Sequence, residues 1–181
     1  MRLFLGFVPV SAERSIYGAC ERLTPTDELP LKWVPPENWH VTVAFLGEVD
    51  DRALARLDAA VEPVVSALPA FTLSATGLQW FPSIMKPRLL TLDIEASEAL
   101  VTLQREVVAA LRREGFHTES RTYRPHLTLA RLKGARKRFQ PPALPPVAPF
   151  EFPAEALVLF ESVTGAPSSL YRPLQHFELA A

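Results

Sequence analysis

The chain has 181 residues and a formal net charge of −1, with 48% hydrophobic and 22% charged residues. That composition belongs to a packed domain rather than a disordered chain, and no run approaches the roughly 20 apolar residues of a membrane-spanning helix. The one cysteine, Cys20, excludes an internal disulfide framework and a thiolate-rich metal site, and it suits a reducing compartment, so a cytoplasmic location is expected.

Arg2 to Val8 reads as a buried strand rather than a leader peptide, because Gly6 and Pro9 interrupt its apolar run. A helix is predicted from Ser11 to Leu23, with Ser11 as N-cap. A short extended piece at Lys32-Trp33-Val34 stops at Pro35-Pro36. Trp39 to Gly47, rich in β-branched and aromatic residues, reads as a strand. Asp50 then caps a helix to about Leu68, on the spacing of Leu54, Leu57, Val61, Val64, Val65 and Leu68. Phe71 to Ala75 and Arg88 to Ile94 are predicted strands, separated by a loop that holds Trp80 and Phe81. Ser97 to Glu114 is a helix by its apolar positions, with Arg112 and Arg113 suiting its C-terminal dipole and Gly115 at the stop. Pro125 to Arg131 is another strand. Five prolines between Gln140 and Pro149 form an extended connector, since proline lacks the N–H that helices and central strands need. Glu155 to Val163 and Leu170 to Leu179 close the chain as strands. No glycine-rich phosphate loop follows any strand, so an α+β arrangement is favoured over a doubly wound one.

One short pattern occurs twice: His40-Val41-Thr42-Val43-Ala44 and His126-Leu127-Thr128-Leu129-Ala130. His and Thr two apart in an extended run face the same side of a strand, with the aliphatic residues on the other. A lone strand histidine is ordinarily structural. Two of only four histidines in matching slots point instead to a paired site. Neither motif brings an adjacent carboxylate or thiolate, which disfavours zinc. Imidazoles titrate near neutrality, so such a pair suits acid–base chemistry, and the hydroxyls can hold an oxyanion. Two unperturbed imidazoles predict a bell-shaped pH profile with flanks near neutral. Seven basic residues and no acidic one lie between Arg121 and Arg138 (Arg121, Arg124, Arg131, Lys133, Arg136, Lys137 and Arg138), which favours a phosphate-bearing ligand. Arg131 poses a difficulty, because simple alternation puts it on the face opposite His126, and a bulge or turn is needed to bring it round.

With these residues in place, the sequence resembles the two-histidine (2H) phosphoesterase superfamily. The resemblance is closest to the RNA 2′,3′-cyclic phosphodiesterases, also called bacterial 2′-5′ RNA ligases. It is carried by HVTV at His40 and HLTL at His126, by RLFLGFVP, WVPPENWHVTVAFLGEV and RPHLTLAR, and by the tail LVLFESVTG with LYRPLQHFEL. The resemblance implies one bilobal α+β domain over residues 1–181. Two pseudo-symmetric lobes, each with an antiparallel sheet and helices on its outer face, would flank a central cleft. It implies hydrolysis of RNA 2′,3′-cyclic phosphate ends to 2′-phosphates, with His126 as proton acceptor and His40 as proton donor. Thr42, Thr128 and Arg131 would bind the phosphate, and Phe7 is a candidate contact for the terminal base, with plain core packing as its alternative. No cofactor and no metal are expected, and the protein is expected to act as a monomer on RNA. Joining a cyclic phosphate to a 5′-hydroxyl in a 2′-5′ linkage is the secondary reaction. Two other readings stay open: a phosphodiesterase for small cyclic phosphates, and a non-catalytic module that binds RNA ends. Trp39, before the first histidine, is larger than the family's usual residue. Tyr123 and Arg124 are a candidate substrate edge. His117 and His176 match no catalytic slot, and Tyr171 reads as core.

Overall fold

The computed structural model describes residues 1–23, 30–133, 140–165 and 169–181. In chain order these form β1 (Arg2–Phe7), α1 (Glu13–Glu21), β2 (Leu31–Trp33), β3 (Val41–Glu48), α2 (Leu54–Val65), β4 (Phe71–Phe81), β5 (Leu89–Ile94), α3 (Glu98–Arg113), β6 (His126–Leu132), β7 (Phe150–Ala154), β8 (Ala156–Val163) and β9 (Leu170–Glu178). The strands join in one antiparallel sheet of order β7-β4-β5-β6-β3-β1-β8-β9, with β2 alongside β6. The α+β class expected from the sequence is the one observed.

The order divides into two halves, β3-β1-β8-β9 and β6-β5-β4-β7, and the chain leaves the first half after β3 and returns to it at β8. Each half contains a strand–helix–strand unit, β1–α1–β3 in one and β5–α3–β6 in the other, and each unit ends on a His-x-Thr strand. The halves meet through a single ladder pair, Val41 with Leu127. They are laced further by β2, which departs from the first unit and pairs with β6 of the second, and by Val34 N–H donating to Leu129 O at 2.8 Å.

Apolar spacing explains the helical layer. Leu100, Leu103, Val107 and Leu111 recur every three or four residues and are all 0% exposed. Ser97 Oγ accepts from Leu100 N–H at 3.3 Å at one end of α3, and Gly115 takes φ +78° at the other. α3 packs on α2 and against β3 and β4, and α2 reaches β9.

Four local expectations change. Ser11 does not cap α1: it sits at φ +62°, Ala12 occupies the cap, and no side chain caps the first turn. β4 extends to Phe81, so Trp80 and Phe81 lie on a strand, not in a loop. Glycine there reads as a breaker, yet Gly77 is absorbed as a register irregularity against β5. The proline-rich connector runs without regular structure up to Phe150, but β7, hidden at its end, is a strand. β7 is an edge, where Pro153 costs no ladder bond that a central strand would need; Pro173 on the opposite edge strand β9 is tolerated for the same reason. Asp50 does cap, but it caps a 3-10 turn at Asp51–Ala53 that leads into α2, by accepting from Arg52 N–H at 2.8 Å.

Because Leu103 is fully buried in the α3–sheet layer, Leu103→Ala should cost about 2–5 kcal/mol of unfolding free energy, read from denaturant midpoints. A change under about 0.5 kcal/mol would contradict the packing described.

Candidate active site

His40 follows a 3-10 turn at Pro36–Asn38 and immediately precedes β3, while His126 is the first residue of β6. Both rings are held the same way. His40 Nδ1 lies 2.7 Å from Asn38 O, and His126 Nδ1 lies 2.8 Å from Arg124 O, each the carbonyl two residues upstream. A carbonyl only accepts, so Nδ1 carries the proton in both rings and Nε2 is the nitrogen left for chemistry. Both histidines line one cavity of about 510 Å³, together with Thr42, Thr128, Arg131 and Tyr171. The structure therefore brings the two motifs into one cleft.

Arg131 reaches this cleft through a β-bulge. Leu90 pairs with Ala130 but Thr91 pairs with Thr128, so Leu129 is an extra residue on β6, and Leu129 and Ala130 are both buried. The same device occurs in β3, where Leu5 pairs with Ala44 and Gly6 with Thr42, leaving Val43 extra. Each bulge returns the residue five places after its histidine to the cleft face: Arg131 on one side, Phe45 on the other, both lining the cavity. One rim is thus cationic and the other aromatic. Gly6 belongs to this construction, because a Cβ there would lie 2.9 Å from Val41 O and 3.5 Å from the His40 ring.

The two imidazoles differ in their surroundings. His40 packs among Phe4 (ring centroids 4.7 Å apart) and Tyr171 (5.1 Å, edge-on). Burial pushes its pKa down to about 4; the Asn38 carbonyl opposes this, and the positive charge of His126 and Arg131 adds to it. His126 stacks on Phe81 at 4.2 Å, and the Arg124 guanidinium lies over the Phe81 ring at 4.6 Å. Arg124 is fixed there by donating to Pro82 O at 3.0 Å and to Gln79 Oε1 at 3.4 Å. Burial lowers the His126 pKa, with the Arg124 charge in the same direction and its carbonyl and Asp93 opposing. Flanks near neutral, expected from unperturbed imidazoles, therefore move to lower pH, because desolvation disfavours the charged ring in both places.

Phe7 is not a cleft residue: it is 1% exposed and meets Phe71 edge-on at 5.7 Å, in the core. Tyr171, read from sequence as core, lines the cleft instead. Its ring contact with His40 is made across the sheet from β9, a placement that strand spacing alone does not reveal. Tyr123 turns its hydroxyl to Thr42 O at 3.0 Å, tying the segment before β6 to the opposite motif, and its burial pushes the phenol pKa up. His117 and His176 are exposed and outside the cleft. Of the basic run, Arg121, Arg124 and Arg131 line the cleft; Arg136, Lys137 and Arg138 lie outside the described residues. Among the described residues no group of three or more His, Cys, Asp or Glu is placed to hold a metal ion. No helix of the described residues is long and apolar enough to cross a membrane.

The chain is similar to several known proteins. Residues 13–166 match the model of the 2′-5′ RNA ligase superfamily. An RNA 2′,3′-cyclic phosphodiesterase of Geobacillus stearothermophilus is 34% identical over 140 residues, 76% of this chain and 45% of that protein. One of Bacillus subtilis is 33% identical over 100 residues, 55% of each chain. The chain thus matches about half the length of these curated relatives. In three dimensions it resembles the crystal structure of TT0787 of Thermus thermophilus, with a TM-score of 0.80 and 25% identity, covering 98% of this chain and 97% of that one.

The Phe81 stack and the Arg124 charge both hold His126 below the usual 6.5. Phe81→Ala admits water to the ring and Arg124→Gln removes a like charge, so both should raise the His126 pKa, measured by NMR titration. An unchanged or lower pKa in both variants would contradict this account of the site.

Proposed function

The chain belongs to the 2′-5′ RNA ligase superfamily, and from that premise we propose that it hydrolyses RNA 2′,3′-cyclic phosphate ends to 2′-phosphates without a metal or cofactor. The observation that carries the reading is the pair of identically tethered imidazoles in one cleft, each beside a threonine hydroxyl. The names of the curated relatives support the same reaction class.

In this mechanism the cyclic phosphate lies between His40 and His126. Water attacks phosphorus as His126 Nε2 takes its proton. The P–O3′ bond breaks as His40, protonated at Nε2, gives its proton to O3′. The products are a 2′-phosphomonoester and a free 3′-hydroxyl, and the proton count balances. Thr42, Thr128 and Arg131 hold the non-bridging oxygens, where charge grows in the transition state. Arg131 is suited to this by its bulge-directed approach and because no carboxylate partners it among the described residues. The exposed ring of Phe45 offers the base the face that buried Phe7 cannot. A 5′-hydroxyl in place of water gives the 2′-5′ linkage, the secondary reaction. The reading takes residues 1–181 as one bilobal domain acting as a cytoplasmic monomer on RNA. Of the other readings, the cationic rim favours an RNA end over a small cyclic phosphate, and the intact His-x-Thr pair favours turnover over recognition alone.

The test is hydrolysis of a short RNA ending in 2′,3′-cyclic phosphate, with chelator present and the product isomer identified. Wild type should yield 2′-phosphate, and His40→Ala and His126→Ala should each lose about 10²–10⁴ in rate. A 3′-phosphate product, abolition by chelator, or full activity in either variant would contradict the proposal.

A further inference from the structure

On the Arg131 side of the cleft, the registers of β4, β5 and β6 set out which side chains share a face. Asp93 of β5 stands directly opposite His126 of β6, as Thr91 stands opposite Thr128. Side chains directly opposite across a ladder point to the same face, with Cβ atoms about 4.5–5.5 Å apart. Leu92 and Leu127, the pair between these two, are buried in the core on the other face. On its other flank Asp93 stands opposite Gly77 of β4, which has no side chain to compete for it. The carboxylate is half-buried and, among the described residues, makes no hydrogen bond or ion pair.

The other half lacks this group. β1 holds the place in its strand–helix–strand unit that β5 holds in the second, and it pairs Gly6 with Thr42 and Phe7 with Val41. Continued by one residue, that register brings Val8 to His40, so an aliphatic side chain stands where the second half has a carboxylate. The other ionisable groups lining the cleft with the two histidines are Glu119, Arg121, Tyr123, Arg124 and Arg131, and Glu119, the acid among them, is paired with Arg121. Asp93 thus brings an unpaired negative charge to a face otherwise cationic or neutral, and it favours the charged form of His126.

We propose that Asp93 is the positioning residue that gives His126 its part as proton acceptor. As His126 Nε2 takes the proton from water, the ring gains a positive charge while Nδ1–H stays on the Arg124 carbonyl. The Asp93 carboxylate stabilises that imidazolium through space and keeps its own charge. His40, with Val8 in the matching slot, has no such support and releases its proton to O3′ more readily. The inference rests on the proposed function and deepens it: two imidazoles alike in their tether are told apart by one carboxylate.

The experiment is NMR titration of both imidazoles, read beside the pH profile of kcat/KM on an RNA ending in 2′,3′-cyclic phosphate. Removing a nearby negative charge disfavours the imidazolium, so Asp93→Asn should lower the His126 pKa by about one unit and leave His40 in place. The basic limb of the profile should move to lower pH with it, and kcat should fall about threefold to tenfold with KM little changed. Asp93→Ser should act alike, and Asp93→Glu should restore both readouts. A His126 pKa unmoved or raised in Asp93→Asn and Asp93→Ser, or equal shifts at both histidines, overturns the assignment while leaving the hydrolytic reading intact. If wild type hydrolyses no cyclic phosphate end, the hydrolytic reading fails, and the titration alone decides whether Asp93 sets the charge of His126.

Discussion

The structure depends on one repeated hydrogen bond, the Nδ1–H of each motif histidine donated to the carbonyl two residues before it. The bond fixes the tautomer, turns the ring, and leaves Nε2 as the nitrogen without that tether. It needs the residues before each histidine to sit in a defined turn. The 3-10 turn at Pro36–Asn38 provides this on one side, and the Tyr123-Arg124-Pro125 segment on the other. Tyr123 and Arg124 are pinned by hydrogen bonds of their own, to Thr42 O and to Pro82 O. The two imidazoles are thus positioned mainly by backbone.

Around that common tether the two halves diverge. A matching bulge in β3 and β6 sends Phe45 to the cleft on one side and Arg131 on the other. The ring partners differ too: Phe4 and Tyr171 pack on His40, while His126 stacks on Phe81, which also carries the Arg124 guanidinium. Near-symmetric backbone with asymmetric side chains is how two chemically identical imidazoles can take opposite proton-transfer roles. Burial lowers both, but the groups that modulate them are different, so their titrations need not coincide.

Much of this was legible in the sequence, and the limits follow from physics. The repeated His-x-Thr pattern announced the site because strand periodicity forces both side chains onto one face. The α3 helix was equally plain, since its apolar spacing, Ser97 cap and Gly115 stop all agree. Arg131 was suspect on strict alternation, and only the bulge at Leu129 settles its direction; nothing local marks a bulge without glycine. Tyr171 and Phe81 join the site through pairing between distant strands, which one strand's pattern does not encode. Phe7 was ambiguous because both faces of its strand are apolar, and the core took it. β7 was masked by prolines that an edge strand tolerates.

The central claim, that these two imidazoles perform acid–base chemistry from a desolvated cleft, is tested most directly by the pH dependence of kcat/KM, which reports the free enzyme. With His40 held near 4 and His126 below 6.5, the account predicts a bell whose maximum lies between those two pKa values. Its basic limb should fall about tenfold per pH unit above the higher of the two. A profile that is flat from pH 5 to 8, or that rises through neutrality, would contradict it.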